Sequence, residues 1–317
     1  MRNFIFTPAE STTRYIHYAE QLRKGEGLDY GCVLDKHVVP LRPGEVEFVI
    51  ARPGHGKSAW MAYRARRAAQ QLIDRGEQDK KVVLYFSWEQ PIEQMEANFQ
   101  AGRDYTVSDI AWGRADIEQV KTKAMGRVNL PIWLGGKSLA DKNQRGPRMF
   151  IDSIFEGIRN LKSEYGVEPS LICFDYLQII PVKGKTDRQT EVTEATYQVK
   201  EVAIDVGCPA VVGVQAKTAV DSKGVKIPDM GDAWYTSATD HVGDKIFGVM
   251  KPVKAQEEGE PIEFAGNTYI VDDNLFLIKM TKQRMEKGYG KWAVNFDMST
   301  MQLRDYETQS VALNGDY

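Results

Sequence analysis

The sequence predicts an α/β fold: a mainly parallel sheet with helices on both faces, and antiparallel strands added towards the C-terminal end. Three observations predict it. Short apolar runs alternate with longer stretches of helical periodicity from Val46 to Gln215. From Asp244 onward the pattern changes to strand-like runs joined by short turns. Between the first strand and the first helix of the alternating region lies VIARPGHGKSAW, Val49 to Trp60, a glycine-bearing loop.

Taken in order, ESTTRYIHYAEQLRK (residues 10–24) reads as an amphipathic helix capped by Ser11 or Thr12, with Tyr15, Tyr18, Ala19 and Leu22 on one face. Two covers for that face remain open, the rest of the chain or a neighbouring subunit. VEFVIA is a buried strand, and SAWMAYRARRAAQQLIDRG is a helix ending at Gly76. KVVLYFS is a strand, and PIEQMEANFQAG is a helix with proline in its first turn. PRMFIDSIFEGIRNLKSEYG then leads into the strand SLICFDY, and TEVTEATYQVKEVAIDVG into PAVVGVQ. DKIFGVM, NTYIV, NLFLIKMT and KWAVNFD are the strands expected to extend the sheet edge.

The bulk numbers narrow the function classes. The 317 residues, 42% of them hydrophobic, suffice for one large domain with a sizeable core. A net charge of −3 argues against a surface that binds nucleic acid everywhere and leaves room only for a local basic strip. Cys32, Cys173 and Cys208 lack metal spacing and read as buried thiols of a reducing compartment. The four histidines form no ligand pattern. With no apolar run of membrane-spanning length and no signal-peptide core, a soluble cytoplasmic protein is expected.

The loop Arg52, Pro53, Gly54, His55, Gly56, Lys57, Ser58 and Ala59 has the spacing of a phosphate loop, except that Ala51 stands at the motif's first glycine. Its N–H groups and the positive end of the following helix are expected to hold phosphates. Lys57 would reach the β- and γ-phosphates, and the Ser58 hydroxyl would bind Mg²⁺. Asp175, ending an apolar strand, fits a carboxylate in the same metal shell. Glu89 follows the strand LYFS, where ligands gather in open α/β sheets. It reads either as the base that activates water or as a solvated loop residue. Lys282 and Arg284, two apart, share a face of an extended chain. They read either as a solvated tip or as a finger reaching a neighbour's γ-phosphate.

Together these segments resemble the C-terminal RecA-type ATPase domain of the DnaB family of replicative helicases, over roughly residues 27–300. GLDYGCVLDKHVVPLRPGEVEFVIARPGHGKSA is similar to the family's lead-in and phosphate loop, where alanine at the position of Ala51 is common. FSWEQPIEQM, FDYLQIIP, DRQTEVTEATYQVKEVAIDVGCPAVVGVQAK and KMTKQRMEKGYG follow in the family's order. The resemblance implies a RecA-like core over 27–317 with a helical arm or linker at 1–26. It makes Glu89 the water-activating residue, Gln215 a sensor, and Lys282 and Arg284 the trans-acting finger. It also implies ATP with Mg²⁺, single-stranded DNA, a homo-oligomer in the form of a hexameric ring, and a loader or other replication partner.

Two departures bear on function. Full-length family members carry an N-terminal helical domain that touches primase, and about 26 residues precede the matching segment here. The family's Arg-Glu-Ser-Gly run is replaced within GDAWYTSATDHVGD by Trp234 and Tyr235, with Asp240 and Asp244 remaining of its acidic residues. The aromatics are read as stacking on bases, as packing residues or as a protein contact. Further candidates for DNA contact are Lys183, Lys185 and Arg188, and Lys217, Lys223 and Lys226, on two loops that otherwise read as solvated. The expected function is an ATP-hydrolysing ring motor on single-stranded DNA. The alternative is a RecA-fold ATPase that switches with nucleotide and holds DNA or a protein without unwinding. A catalytically inactive subunit is disfavoured by the intact Lys57, Ser58, Glu89 and Asp175.

Overall fold

Val46–Ala51 forms β1 in the interior of the sheet, with all six side chains buried. A computed structural model describes residues 5–141, 149–184, 187–217, 226–284 and 289–306. β1 leads through the glycine loop into α2 (Lys57–Asp74), which is preceded in the chain by α1 (Pro8–Arg23). There follow β2 (Lys81–Ser87), α3 (Ile92–Gln100), α4 (Val107–Ala111), α5 (Ile117–Arg127) and β3 (Ile132–Gly135). Then come α6 (Ile151–Tyr165), β4 (Glu168–Asp175), α7 (Arg188–Val206), β5 (Ala210–Gln215), α8 (Ala238–Val242) and β6 (Lys245–Met250). A hairpin, β7 (Pro261–Phe264) and β8 (Asn267–Ile270), precedes β9 (Leu275–Gln283), β10 (Gly290–Asp297) and β11 (Gln302–Asp305).

The nine-stranded sheet has the order β11-β10-β9-β6-β1-β5-β4-β2-β3. From β6 to β3 every neighbouring pair is parallel, while β9, β10 and β11 join antiparallel. Strand alternation sends Val49, Ala51, Val83, Tyr85, Leu171 and Cys173 to the face covered by α2 and α3. Phe48, Ile50, Leu84, Ile172, Phe174 and Val212 go to the face covered by α6 and α7. Both faces are buried, which is why the strands read as unbroken apolar runs. Cys173 and Cys208 are buried and Cys32 is half-buried. Desolvation raises all three thiols, Cys32 to about 12.

The lead-in is tied to α2 by polar groups. Arg67 forks onto the Asp29 carboxylate at 2.6 and 2.8 Å, and the Tyr63 hydroxyl donates to the Tyr30 carbonyl at 2.7 Å. The buried Arg64 donates to the Asp29 carbonyl and lies 3.5 Å from Glu47, which also accepts from the Tyr30 hydroxyl at 2.9 Å.

Four expectations need correction. DKIFGVM, expected among the antiparallel strands of the sheet edge, forms β6, which lies inside the sheet and pairs parallel with β1. The first helix is capped neither by Ser11 nor by Thr12 but by Thr7, whose side chain and that of Glu10 form a reciprocal capping box. None of its residues is buried, and Tyr15 and Ile16 are exposed. The strand at Asn267–Ile270 does not extend the main sheet; it pairs with β7 in a separate two-stranded sheet. The glycine-flanked β3, the short α4 and the α5 helix went unread: β3 has four residues, and neither helix buries a side chain to give an apolar period. Among the described residues no helix is long and apolar enough to cross a membrane.

Candidate nucleotide site

The strands β1, β2, β4, β5 and β6 all end at one edge of the sheet, and a cleft of about 490 Å³ opens there. Its floor is the glycine loop. Gly54 and Gly56 have φ of +77° and +87°, a region that side-chain-bearing residues avoid. A Cβ on Gly56 would also meet Met298 Cε at 2.4 Å. Ala51, by contrast, pairs in regular register with Gln215, so its position needs no glycine. The α2 helix starts at Lys57, and Lys57, Ser58 and Ala59 line the cleft at its positive end.

Arg52, Pro53 and Gly54 also line the cleft, but His55 does not. Its side chain is 8% exposed, and Nδ1 accepts the Lys251 N–H at 3.3 Å. Burial, followed by the neighbouring Arg52 guanidinium, lowers its pKa below the ordinary histidine value. Arg52 itself donates to the Lys226 carbonyl at 2.6 Å.

Lys57 Nζ donates to Asp175 Oδ1 at 2.8 Å and sits 3.8 Å from the centre of the Tyr176 ring. Asp175 is 2% exposed, and its Oδ2 accepts from the Tyr85 hydroxyl at 3.0 Å. Burial, then the Asp175 charge, pushes the Tyr85 phenol well above its ordinary value, so it stays a donor. Ser87 Oγ accepts the N–H groups of Glu89 at 3.3 Å and Gln90 at 3.0 Å, which fixes the turn that carries the Glu89 carboxylate. Glu89 and Tyr176 line both the cleft and an adjoining cavity of about 920 Å³ that extends to Arg188.

Gln215 lines the cleft at the end of β5. The Gln178 side chain accepts the Gln215 N–H at 3.0 Å and donates at 3.1 Å to both the Gln215 and the Trp234 carbonyls. Trp234 is thereby locked to the cleft's rim. Its indole stacks on Tyr235 with centroids 4.7 Å apart and planes at 13°, and the two are 40% and 38% exposed. Lys183 faces the Phe150 ring at 5.5 Å, Arg188 pairs with Glu191, and Lys217 donates to the Gly231 carbonyl at 3.1 Å. All three follow the carboxyl ends of β4 or β5. Lys185 and Lys223 lie outside the described residues.

Lys282 and Arg284 are elsewhere. β9 runs antiparallel, with Gln283 opposite Lys245 and hence level with Glu47 at the start of β1. A six-residue strand spans roughly 17–20 Å, so both cations sit at the far edge from their own glycine loop. Lys282 donates to the Asp240 carbonyl at 2.6 Å, and Arg284 to the His241 carbonyl at 2.9 Å. The Arg284 guanidinium also lies 3.4 Å from Asp244, and its side chain remains 49% exposed. Burial, then Arg284, lowers the Lys282 pKa.

Sequence reasoning missed Lys251, Lys254, Tyr176 and Met298, which complete the cleft, and Tyr85 and Gln178, which brace it. Only Tyr176, adjacent to Asp175, carried a local signal. Among the described residues, the oxygen donors that could hold a cation beside Lys57 include the Ser58 hydroxyl and the Asp175 carboxylate. Hard oxygens of this kind suit Mg²⁺.

The profile of the DnaB-like helicase C terminal domain matches residues 27–305. The chain is 24% identical over 309 residues to the replicative DNA helicase DnaB of Mycoplasma genitalium, covering 94% of this chain and 61% of that protein. It is 29% identical over 244 residues to the replicative DNA helicase DnaC of Bacillus subtilis, covering 72% and 48%. The chain thus spans about half to three-fifths of the length of these relatives. In fold it is similar to the ATPase domain of G40P, with a TM-score of 0.72 at 18% identity, covering 93% of this chain and 98% of that one. A DnaB-like replicative helicase described with its primase interactions gives a TM-score of 0.70 at 17% identity, covering 92% and 67%. The match over residues 27–305 makes the chain a member of the DnaB-like helicase C-terminal domain family.

Proposed function

We propose that this chain is the motor domain of a ring-forming replicative-type DNA helicase: it hydrolyses ATP with Mg²⁺ and moves on single-stranded DNA. The observation that carries the reading is the division of the catalytic parts between two edges of one sheet. Lys57, Ser58, Asp175, Glu89 and Gln215 belong to one edge, and Lys282 and Arg284 to the other. A site divided in this way is completed when the finger edge of one copy meets the cleft of the next, a head-to-tail contact that closes into a ring. A hexamer is the proposed closed state.

In this reading residues 27–317 are the ATPase domain and 1–26 are an arm. The exposed Tyr15 and Ile16 of α1 need a cover, and exposed Trp112, Ile117, Met125 and Val128 around α4 and α5 offer an apolar one on a neighbouring copy. Ser58 and Asp175 would hold Mg²⁺, which when bound would supply charge neutralisation to the phosphates. Lys57 exchanges Asp175 for the phosphates, Glu89 takes the proton of the attacking water, and Gln215 senses the γ-phosphate. Lys183, Arg188, Lys217 and Trp234 face the DNA strand. The Gln178 bridge between Gln215 and Trp234 supports a direct link from nucleotide to DNA. A closed ring on DNA calls for a loader or another replication partner, and the proposed location is cytoplasmic.

A second reading is a nucleotide-driven switch that holds DNA or a protein without unwinding. The exposed Trp234–Tyr235 stack favours it, because aromatic contacts hold bases without needing a ratchet of phosphate contacts. The deciding experiment measures ATPase turnover with and without single-stranded DNA, unwinding of a forked duplex, and mass in an ATP analogue. The motor predicts DNA-stimulated turnover, unwinding and a closed ring. Turnover without unwinding selects the switch, and a monomer at micromolar concentration in ATP analogue refutes the ring.

A further inference from the structure

We propose that Tyr85 is a positioning residue for the metal-shell carboxylate: its buried hydroxyl holds Asp175 in the orientation that receives Mg²⁺. The inference rests on the nucleotide and Mg²⁺ reading of the cleft and adds a residue to it.

The argument begins with strand register. β2 and β4 are parallel neighbours, with Tyr85 opposite Cys173 and Ser87 opposite Asp175. Tyr85 and Asp175 therefore project to the same sheet face, the one packed by α2, and stand diagonally to each other. A short side chain at position 85 would not cross that diagonal. The tyrosine does, with its hydroxyl 3.0 Å from Asp175 Oδ2. The Phe99 ring stands edge-on to the Tyr85 ring, with centroids 5.4 Å apart, and fixes where the hydroxyl points.

The two carboxylate oxygens then have separate duties. Oδ1 pairs with Lys57, whose side chain lines the cleft. Once Lys57 turns to phosphates, Oδ1 becomes the free acceptor. Oδ2 accepts from Tyr85, in a residue that is buried as a whole. Without that donor a buried carboxylate oxygen would be unsatisfied, and the group would rotate to share Oδ1's partners. The hydroxyl thus selects one rotamer of Asp175 and leaves the oxygen beside Lys57 available. On the same strand, Ser87 performs the equivalent task for the Glu89 turn, so β2 braces both acidic parts of the site.

The test uses Tyr85→Phe in the full chain, with ADP affinity measured by calorimetry in Mg²⁺ and in EDTA. The ratio of the two affinities reports the metal, separately from catalysis. In Tyr85→Phe that ratio is expected to fall about tenfold, the equivalent of one hydrogen bond to a charged group, while affinity in EDTA is unchanged. The free Mg²⁺ giving half-maximal turnover should rise in parallel. A second variant, Phe99→Leu, loosens the same ring without removing the hydroxyl. It should lower the thermal midpoint and keep the ratio. An unchanged ratio in Tyr85→Phe overturns the inference, as does an equal loss in Phe99→Leu, which would make packing the cause. If the wild-type chain itself binds ADP equally in Mg²⁺ and EDTA, the Mg²⁺ reading of Asp175 falls first and takes this inference with it.

Discussion

The two edges of the sheet are built from the same strands and behave differently. At the carboxyl edge β1, β4, β5 and β6 end in turns that leave a cleft, with Lys57 held to Asp175 by one ion pair. At the amino edge Asp244 is buried and accepts from the Val46 N–H at 2.8 Å and from Lys200 at 2.5 Å, with Arg284 against its other oxygen. The carboxyl edge has room for a ligand. The amino edge has a half-exposed arginine on a buried anchor, and the pocket of about 560 Å³ at that edge, beside the starts of β2, β4 and β5, is not lined by it. On the proposed reading the difference is a division of labour: the cleft of one copy is paired with the Arg284 edge of the next.

The comparison breaks most visibly if Arg284 is removed. Arg284→Ala should leave nucleotide affinity largely intact, because the residue is remote from its own cleft, and reduce hydrolysis by about 10³–10⁵-fold. Mixing it with Lys57→Ala gives rings in which some interfaces join an intact cleft to an intact finger. Turnover should reappear in proportion to those interfaces, read by phosphate release. If mixed rings form and remain inactive, the two edges do not cooperate.

Glu89→Gln probes the carboxyl edge alone. The amide keeps the size and loses the basicity, so ATP should bind while turnover falls by about 10²–10⁴-fold. Rapid-quench measurement of the chemical step checks it, and turnover at the parent rate would transfer the proton-accepting role to another group. Trp234→Ala tests whether the carboxyl edge also reads the strand. Loss of a base-stacking platform should weaken single-stranded DNA binding by about 1–3 kcal/mol without changing basal ATPase. Fluorescence anisotropy with a labelled oligonucleotide measures it, and unchanged affinity would leave Trp234 and Tyr235 as packing or protein-contact residues.

These edges were unequally legible in the sequence. β1 and β2 were read to their end residues because buried parallel strands are continuous apolar runs bounded by polar turns. The glycine loop was legible because its chemistry is local: two positive φ angles and a lysine at fixed spacing. Thr7 and Glu10 were also a local signal, and the capping box was overlooked in favour of hydroxyls closer to the periodic run. Lys251 and Lys254 were not legible. They reach the cleft only because β6 pairs with β1 in parallel, a non-local fact that no spacing records. The separation of Arg284 from its own cleft depends likewise on the antiparallel sense of β9. The β7–β8 hairpin shows the same limit, since strand propensity at Asn267–Ile270 was correct while its partner was not.

The smallest expected effect distinguishes the edges by pH. His55 fastens the glycine loop to the turn after β6 by accepting the Lys251 N–H, and it can accept only while Nδ1 is unprotonated. Protonation would also set a cation against Arg52 and Lys254, which both lower its pKa, beside the Lys251 ammonium that lines the same cleft. Its pKa is lowered from 6.5, so the unfolded chain takes up the proton before the native one does. Stability contributed by neutral His55 is therefore complete above 6.5, declines as pH falls through that value and the lower native one, and then levels off. At the amino edge Lys282 is lowered from 10.5, and the same linkage makes stability rise with pH in an alkaline window instead. His55→Asn keeps an acceptor near Nδ1 and removes the titration. Urea unfolding of wild type and variant between about pH 8 and 5 should give a wild-type midpoint that drops more steeply on the acid side, with the two converging in slope above neutrality. Parallel curves throughout would mean that the His55–Lys251 bond does not fasten the loop. The glycine loop would then owe its shape to the backbone of Gly54 and Gly56 without a clasp from His55.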